Sequence, residues 1–342
     1  MKLRAMAVIL VILPLGGVHA GTGVAKYAGE FISLGVGGRA LAMGGAFVAL
    51  ANDVTAGYWN PAGLSMISYP EIALMHAEPF SGLVNNDYGA VALPFGKNAS
   101  IGLSIIRVGV DDIQNTTRAG LDANGNLTTD LSQVTRIDPS RVTYFSAADW
   151  AFYFTYSKKE SETFSYGANV KLIRRDLDTA SAMGIGFDIG LWYSPWEHVL
   201  LGANLQDVTT TFLAWSTGTN ELISPTMKIG SAYLIDAFGG RFAPAIDFDV
   251  RFENRRSASN AHLGPISLDI HTGLEFQMKN LVALRIGRSD VNMLTVGAGV
   301  RLPKLNIDYS FSKFDGVTQL GDTHRISMMF TLEAEQYKRS NE

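Results

Sequence analysis

The chain has 342 residues, of which 47% are hydrophobic and 18% charged, and it contains no cysteine. Net charge is −4, and −6 without the two basic residues of the leader, Lys2 and Arg4 (−4 − 2 = −6). That balance excludes nucleic acid as the main partner, because phosphate binding needs a basic surface. The missing cysteines exclude a disulfide framework, thiol chemistry and a lipid anchor on sulfur.

Residues 1–20 read as a secretory signal peptide. Lys2 and Arg4 supply the charged end, 5–15 the apolar stretch, and Val18-His19-Ala20 the small-residue cleavage site. Pro14, Gly16 and Gly17 stop the apolar run short of the roughly 18 residues of a spanning helix. No later window approaches one. A chain of this kind crosses a membrane only as closed strands, where every backbone group finds a partner.

Residues 21–68 differ from everything downstream. They are rich in Gly and Ala, and 39–51 favours helix over strand. Asn60-Pro61 reads as a helix start, with Asn60 as N-cap and Pro61 at the first helical position.

From 71 to about 333 the pattern is strand and turn. Fourteen candidates follow one another: 71–77, 87–94, 99–108, 149–158, 162–175, 182–194, 197–206, 225–234, 241–252, 265–277, 280–288, 293–302, 304–314 and 323–332. Successive strand side chains point to opposite faces, so alternation assigns each residue a side. In 164–172, Phe164, Tyr166, Ala168, Val170 and Leu172 face out, and Ser165, Gly167, Asn169 and Lys171 face in. In 246–253 the outward set is Ile246, Phe248, Val250 and Phe252, and the inward set is Asp247, Asp249, Arg251 and Glu253. Residues 266–277 alternate without a break and add Asp269, His271 and Glu275 to the inward polar row. Leu305, Ile307, Tyr309 and Phe311 alternate in the same way with Asn306, Asp308, Ser310 and Ser312.

The connections alternate too. Those after even-numbered strands are short (95–98, 159–161, 195–196, 235–240, 278–280, 303), whereas 109–148, 207–224, 253–264 and 315–322 are long; 176–181 is a short exception. Short turns at one end and long loops at the other mark an outer-membrane barrel with periplasmic turns. Even parity then puts both termini on the periplasmic side, with 334–342 as a short polar tail. Trp192, Tyr193 and Trp196 suit an interfacial girdle. The expected fold is an all-β transmembrane barrel of about fourteen antiparallel strands over 69–333, with 21–68 as a partly helical plug in its lumen.

Residues 37–53, Gly-Gly-Arg-Ala-Leu-Ala-Met-Gly-Gly-Ala-Phe-Val-Ala-Leu-Ala-Asn-Asp, followed by Tyr58-Trp59-Asn60-Pro61-Ala62-Gly63-Leu64, resemble the opening of the PorV/PorQ family. More distantly they are similar to the FadL family of long-chain fatty-acid transporters, which share Asn-Pro-Ala in a plug segment. Ile307-Asp308-Tyr309-Ser310-Phe311 and 321–327 also suit the PorV/PorQ group. The resemblance implies a fourteen-stranded barrel plugged by its N-terminus, with plug movement and lateral escape of the ligand into the membrane. By position, Asn60, Pro61 and Ala62 carry over as plug residues, while Gly44 and Gly45 would let the plug approach the wall closely.

The connection 176–181, where a ligand-catching loop would lie in FadL, is nearly absent. Phe212, Leu213 and Trp215 form an apolar patch in the long loop 207–224, which is a candidate site for a hydrophobic ligand or a protein partner or else folds inward over the plug. The resemblance thus implies binding or passage of small hydrophobic molecules, with outer-membrane lipid around the barrel. The alternative it implies is handling of secreted cargo proteins in type IX secretion.

Other chemistry finds little footing. Gly35-Val36-Gly37-Gly38-Arg39-Ala40 fits a short dinucleotide fingerprint, but no alternating strands and helices follow it. Asp122-Ala123-Asn124-Gly125-Asn126 begins like a calcium loop, yet Leu127 stands where glycine is required. The six histidines show no metal-ligand spacing, and no G-x-S-x-G elbow occurs. The expectation is a non-enzymatic protein with no cofactor and no metal.

Overall fold

The computed structural model describes residues 22–24, 29–253, 255, 259–313 and 321–339, so the signal peptide expected at 1–20 lies outside the described residues. Fourteen strands form the wall. In chain order they are β1 (Glu71–Glu78), β2 (Asn85–Phe95), β3 (Ala99–Asn115), β4 (Thr143–Ser161), β5 (Phe164–Leu177), β6 (Ala180–Trp196) and β7 (Val199–Gln206). The second half is β8 (Thr226–Tyr233), β9 (Gly240–Arg251), β10 (Ile266–Met278), β11 (Val282–Arg288), β12 (Leu294–Leu302), β13 (Leu305–Lys313) and β14 (Thr323–Thr331). Each pairs antiparallel with its predecessor, and β14 returns to β1 with Thr331 opposite Glu71, which closes the barrel. A closed sheet leaves no edge, so every ladder group is satisfied inside the wall.

The sides follow the alternation. Along β6, Ile185, Phe187, Ile189, Leu191 and Tyr193 are each 41–47% exposed, while Asp188 between them is fully buried. On β5, Ser165, Asn169 and Lys171 are buried, and Val170 and Leu172 are exposed. An apolar band this continuous belongs against hydrocarbon. Among the described residues no helix is long and apolar enough to cross a membrane.

The wall departs from its expected outline mainly at the long-loop end. β3 and β4 remain paired as far as Asn115 opposite Thr143, shrinking the 109–148 connection to 116–142. Asp111, Asp112 and Gln114 carry no greasy face, so periodicity ended there although the backbone ladder did not. A register shift between Val110 and Ile113 lies in the same stretch.

The interior is filled from the N-terminal side. Residues 29–68 contain three helices, Glu30–Ser33, Gly38–Ala42 and Ala56–Trp59, and a 3-10 helix, Pro61–Met66. The helix expected over 39–51 is therefore only one turn and a half, because Gly44 and Gly45 both take positive φ and end it. Upstream, Thr22–Val24 pairs parallel with Asn220–Ile223 of the hairpin after β7, at the long-loop end. The expectation that both termini share the short-turn side thus fails at the N-terminal end. The segment runs the length of the lumen before entering β1.

Candidate functional site

The candidate site is the lumen-filling segment 29–68 and the wall residues that hold it. Phe47, Trp59 and Tyr58 build its centre, with ring centroids 6.0 Å apart for Phe47–Trp59 and 4.9 Å for Tyr58–Trp59. Tyr153 on the wall meets Tyr58 at 6.2 Å. These rings, together with Met43, Leu64, Ile106 and Ile173, make a buried core inside the barrel. Wall positions facing them are small, such as Ala73, Ala90, Ala92 and Ala151, which leaves room for a second layer of chain.

Polar wall residues fix the backbone of the segment. Asp247 Oδ2 accepts from the Phe47 and Val48 amides at 2.7 and 2.8 Å. His271 Nδ1 lies 2.8 Å from the Gly44 carbonyl oxygen, so it donates its proton there, and Nε2 sits 3.4 Å from Asp249. Asp249 in turn pairs with Lys228. Arg39 reaches back from the segment and grips Glu275 through two bonds of 2.9 Å, and Glu275 also accepts from Arg285 at 2.6 Å. Bidentate charged pairs of this kind are geometrically specific. Arg251 lies 3.4 Å from Asp269. Asp249 stands directly opposite Asp269 in the β9–β10 register, a like-charge pair that Lys228, Arg251 and Arg255 offset.

Asn60 is fully buried. Its Nδ2 donates to the Val48 carbonyl at 3.0 Å and to the Leu191 carbonyl of β6 at 2.9 Å, while Oδ1 accepts from the Ala62 amide. It caps the 3-10 helix that Pro61 opens. The Ala62 carbonyl accepts from Ser157 at 2.8 Å. Gly44 has φ 67, and a Cβ there would stand 2.6 Å from the Arg288 backbone of β11; a Cβ on Gly45 would stand 3.0 Å from His271 Nδ1.

The residues 212–215 do not form one patch. They belong to a short strand, Thr211–Trp215, that pairs with the upper half of β6. Phe212 therefore points outward at 43% exposure and Leu213 inward at 0%. Trp215 lies against Arg175, whose guanidinium is 5.7 Å from its ring and 5.6 Å from that of Phe31.

Several anchors escaped the sequence, although alternation already places Asn169 and Lys171 inside. Trp192, expected in the interfacial girdle, points into the lumen and donates to the Ala49 carbonyl at 3.0 Å. Alternation along β6 with Asp188 and Gly190 would have placed it inside. Asn169 and Asn204 donate to the Gly57 and Trp59 carbonyls. Lys171 is buried between Asp188 at 3.3 Å and Asp207 at 2.6 Å. Arg339, in the tail, donates to the Ser65, Ile67 and Ala99 carbonyls and to Ser100, tying the tail under the 3-10 helix.

A cavity of about 580 Å³ lies between the segment and the short-turn end, lined by Leu50, Met75, Trp192, Glu71, Arg301 and Asp308 among others. A smaller one of about 60 Å³ lies near Glu30, Tyr58, Lys171 and Arg251. The Asp122 carboxylate is committed to its own turn. It accepts from the Asn124 and Asn126 amides, and the Asn126 amide first of all holds its pKa below the usual carboxylate value. Among the described residues no group of three metal-binding side chains comes together. Phe31 to Ser33 is helical, so a helix and not a strand leads into Gly35, and the dinucleotide fingerprint has no frame.

No family model and no curated protein match the chain. Solved structures do. The toluene transporter TbuX of Ralstonia pickettii superposes with a TM-score of 0.57 at 14% identity, over 87% of this chain and 98% of that one. The CymD monoaromatic hydrocarbon channel gives 0.59 at 13%, over 90% and 99%. The P. putida toluene transporter TodX gives 0.57 at 12%, over 88% and 99%. The chain has the fold of these barrels. At such identities the likeness is one of fold alone, a closed fourteen-stranded barrel.

Proposed function

We propose that the chain is an outer-membrane channel for small hydrophobic molecules, exported by the signal at 1–20 and gated by the segment 29–68 acting as a plug. The fold shared with TbuX, CymD and TodX, proteins described as transporters or channels for toluene and monoaromatic hydrocarbons, supports this reading. The observation that carries it is the occupied lumen. Residues 37–64 hang from the wall by separate polar contacts at Asp247, His271, Glu275, Ser157 and Asn169, each breakable without unzipping a strand. Passage requires some of these to release, and Gly44, Gly45 and the Asn60-Pro61-Ala62 cap are where the segment turns.

Uptake of radiolabelled toluene and oleate by a deletion strain and its complemented parent tests the reading. Slower uptake on deletion is expected, and equal uptake of both probes overturns it. Removing 37–64 is expected to leave an assembled barrel that leaks nitrocefin. Unchanged permeability would show that these residues do not block the lumen.

A PorV-like role in handling secreted cargo is the second reading. Leu131 and Leu263, 90% and 81% exposed on the long-loop side, favour it as apolar points open to a protein partner. It predicts that deletion lowers the amount of protein released from the cell, with hydrophobic uptake untouched.

A further inference from the structure

The outer wall is not uniformly convex. Between β6 and β9 lies an apolar trough of about 520 Å³. Its floor is small: Ala203 on β7 and Ser231 on β8 sit diagonally, since Leu201 pairs with Ser231 and Ala203 with Ile229. Leu191 and Tyr193 rise on one side, Ile246 and Phe248 on the other. Behind the floor the inner face is equally spare. Gly202 and Gly230 face the lumen there, and a Cβ on Gly202 would stand 2.5 Å from the Val48 carbonyl oxygen. The wall is thin at this point because the plug backbone lies directly against it.

The trough starts near the short-turn end, three residues above the end of β6 at Trp196 and two above the start of β7 at Val199, and reaches the middle of β9. At its mouth stand Trp196, 72% exposed, and Tyr233, whose ring lies 6.4 Å from that of His198. Aromatic side chains with a polar edge sit at the boundary between hydrocarbon and headgroup. Hydrocarbon depth, an almost wholly apolar lining and an aromatic mouth describe the acyl chain of a lipid whose headgroup lies on the short-turn side. An unfilled hollow would forfeit dispersion contacts along its whole lining.

We propose that this trough is a binding site for one acyl chain of a phospholipid in the short-turn leaflet, held more firmly than the surrounding annular lipid. The site depends on the barrel spanning a membrane and not on the transport reading, so either can fail alone.

The test is phospholipid retention by the full mature chain, extracted in mild detergent and exchanged into fresh detergent, read by native mass spectrometry and phosphate assay. The wild type is expected to keep bound phospholipid. Ala203→Phe and Ser231→Phe, which fill the floor, are expected to lower retention about tenfold, and Ala298→Phe, an outward site on β12, is expected to leave it unchanged. Ala203→Leu provides a milder filling should the larger ring prevent assembly, with sheet content by circular dichroism confirming the fold. Wild-type barrel free of phospholipid, or equal retention in all variants, overturns the proposal. So does a wild-type dimer that the filling variants convert to monomer, since a second copy would then be the occupant.

Discussion

Arg175 and Trp215 join the barrel wall to a loop and, through a third ring, to the lumen-filling segment 29–68. The Arg175 guanidinium lies 5.7 Å from the Trp215 ring, 5.6 Å from the Phe31 ring, and is held in place by two bonds to Asp149 of 2.8 and 3.0 Å. Glu30, the neighbour of Phe31, meets Arg255 of the loop after β9 at 2.6 Å. The first helix of that segment is thus clasped by two long loops at once. Stacking a cation on an aromatic face contributes about 0.5–2 kcal/mol. Trp215→Ala is expected to speed hydrogen exchange at the amides of 32–35 several-fold while leaving β5 and β6 protected. Identical exchange in wild type and variant would show that the loop strand does not restrain the segment.

Asp247 offers a cleaner perturbation. Its Oδ2 serves two amides that have no other partner among the described residues, and leaving a buried donor unsatisfied costs about 1–3 kcal/mol. Asp247→Ala is expected to raise exchange at Phe47 and Val48 about tenfold or more. Asp247→Asn, which keeps an acceptor oxygen, is expected to recover most of the protection. Should both variants behave alike, the carboxylate would be holding the wall rather than the segment.

The wall was legible because each strand must satisfy two solvents at once. That demand writes itself into every second residue, which is why Ser165, Lys171, Asp247 and Asp269 could be placed inside from sequence. Where one solvent disappears the signal ends, as at Asp111–Gln114 above the membrane. Trp192 shows the converse error: residue type suggested the interface, and alternation, the stronger constraint, put the indole inside. Asn60 as a cap was readable because its partner, the Ala62 amide, is two residues away. The bonds of Asn60 to Leu191, of Gly44 to His271 and of Thr295 to Ala42 span 131 to 253 residues, and no local pattern encodes contacts at that range.

The lipid face makes its own prediction. Ile270 points outward from the middle of β10, between inward Asp269 and His271. An arginine at the bilayer midplane of a barrel costs about 2–4 kcal/mol. Ile270→Arg is expected to cut the yield of assembled, heat-modifiable barrel in membranes, whereas Leu263→Arg, outside the membrane, is expected to be neutral. Equal yields for the two variants would remove the assignment of this face to lipid.

Gly44 tests whether segment 29–68 can be dislodged, as a plug would be, without damage to the wall. Its φ of 67 lies in the region that side chains avoid, and an added Cβ would stand 2.6 Å from backbone atoms of Arg288, which cannot give way inside a ladder. Strain of this kind costs about 1–3 kcal/mol before the clash is counted. The fourteen strands do not depend on this contact, so the segment is the part that yields. The chain has no cysteine, so a single Val48→Cys reports without background. Val48 is 1% exposed, and a charged maleimide added to intact barrel is expected to leave it unlabelled. In the Gly44→Ala background, labelling is expected to become complete while heat-modifiability persists. Protected Val48→Cys in that background would mean that the wall, not the plug, absorbs the methyl group, and the segment would then be a fixed part of the barrel.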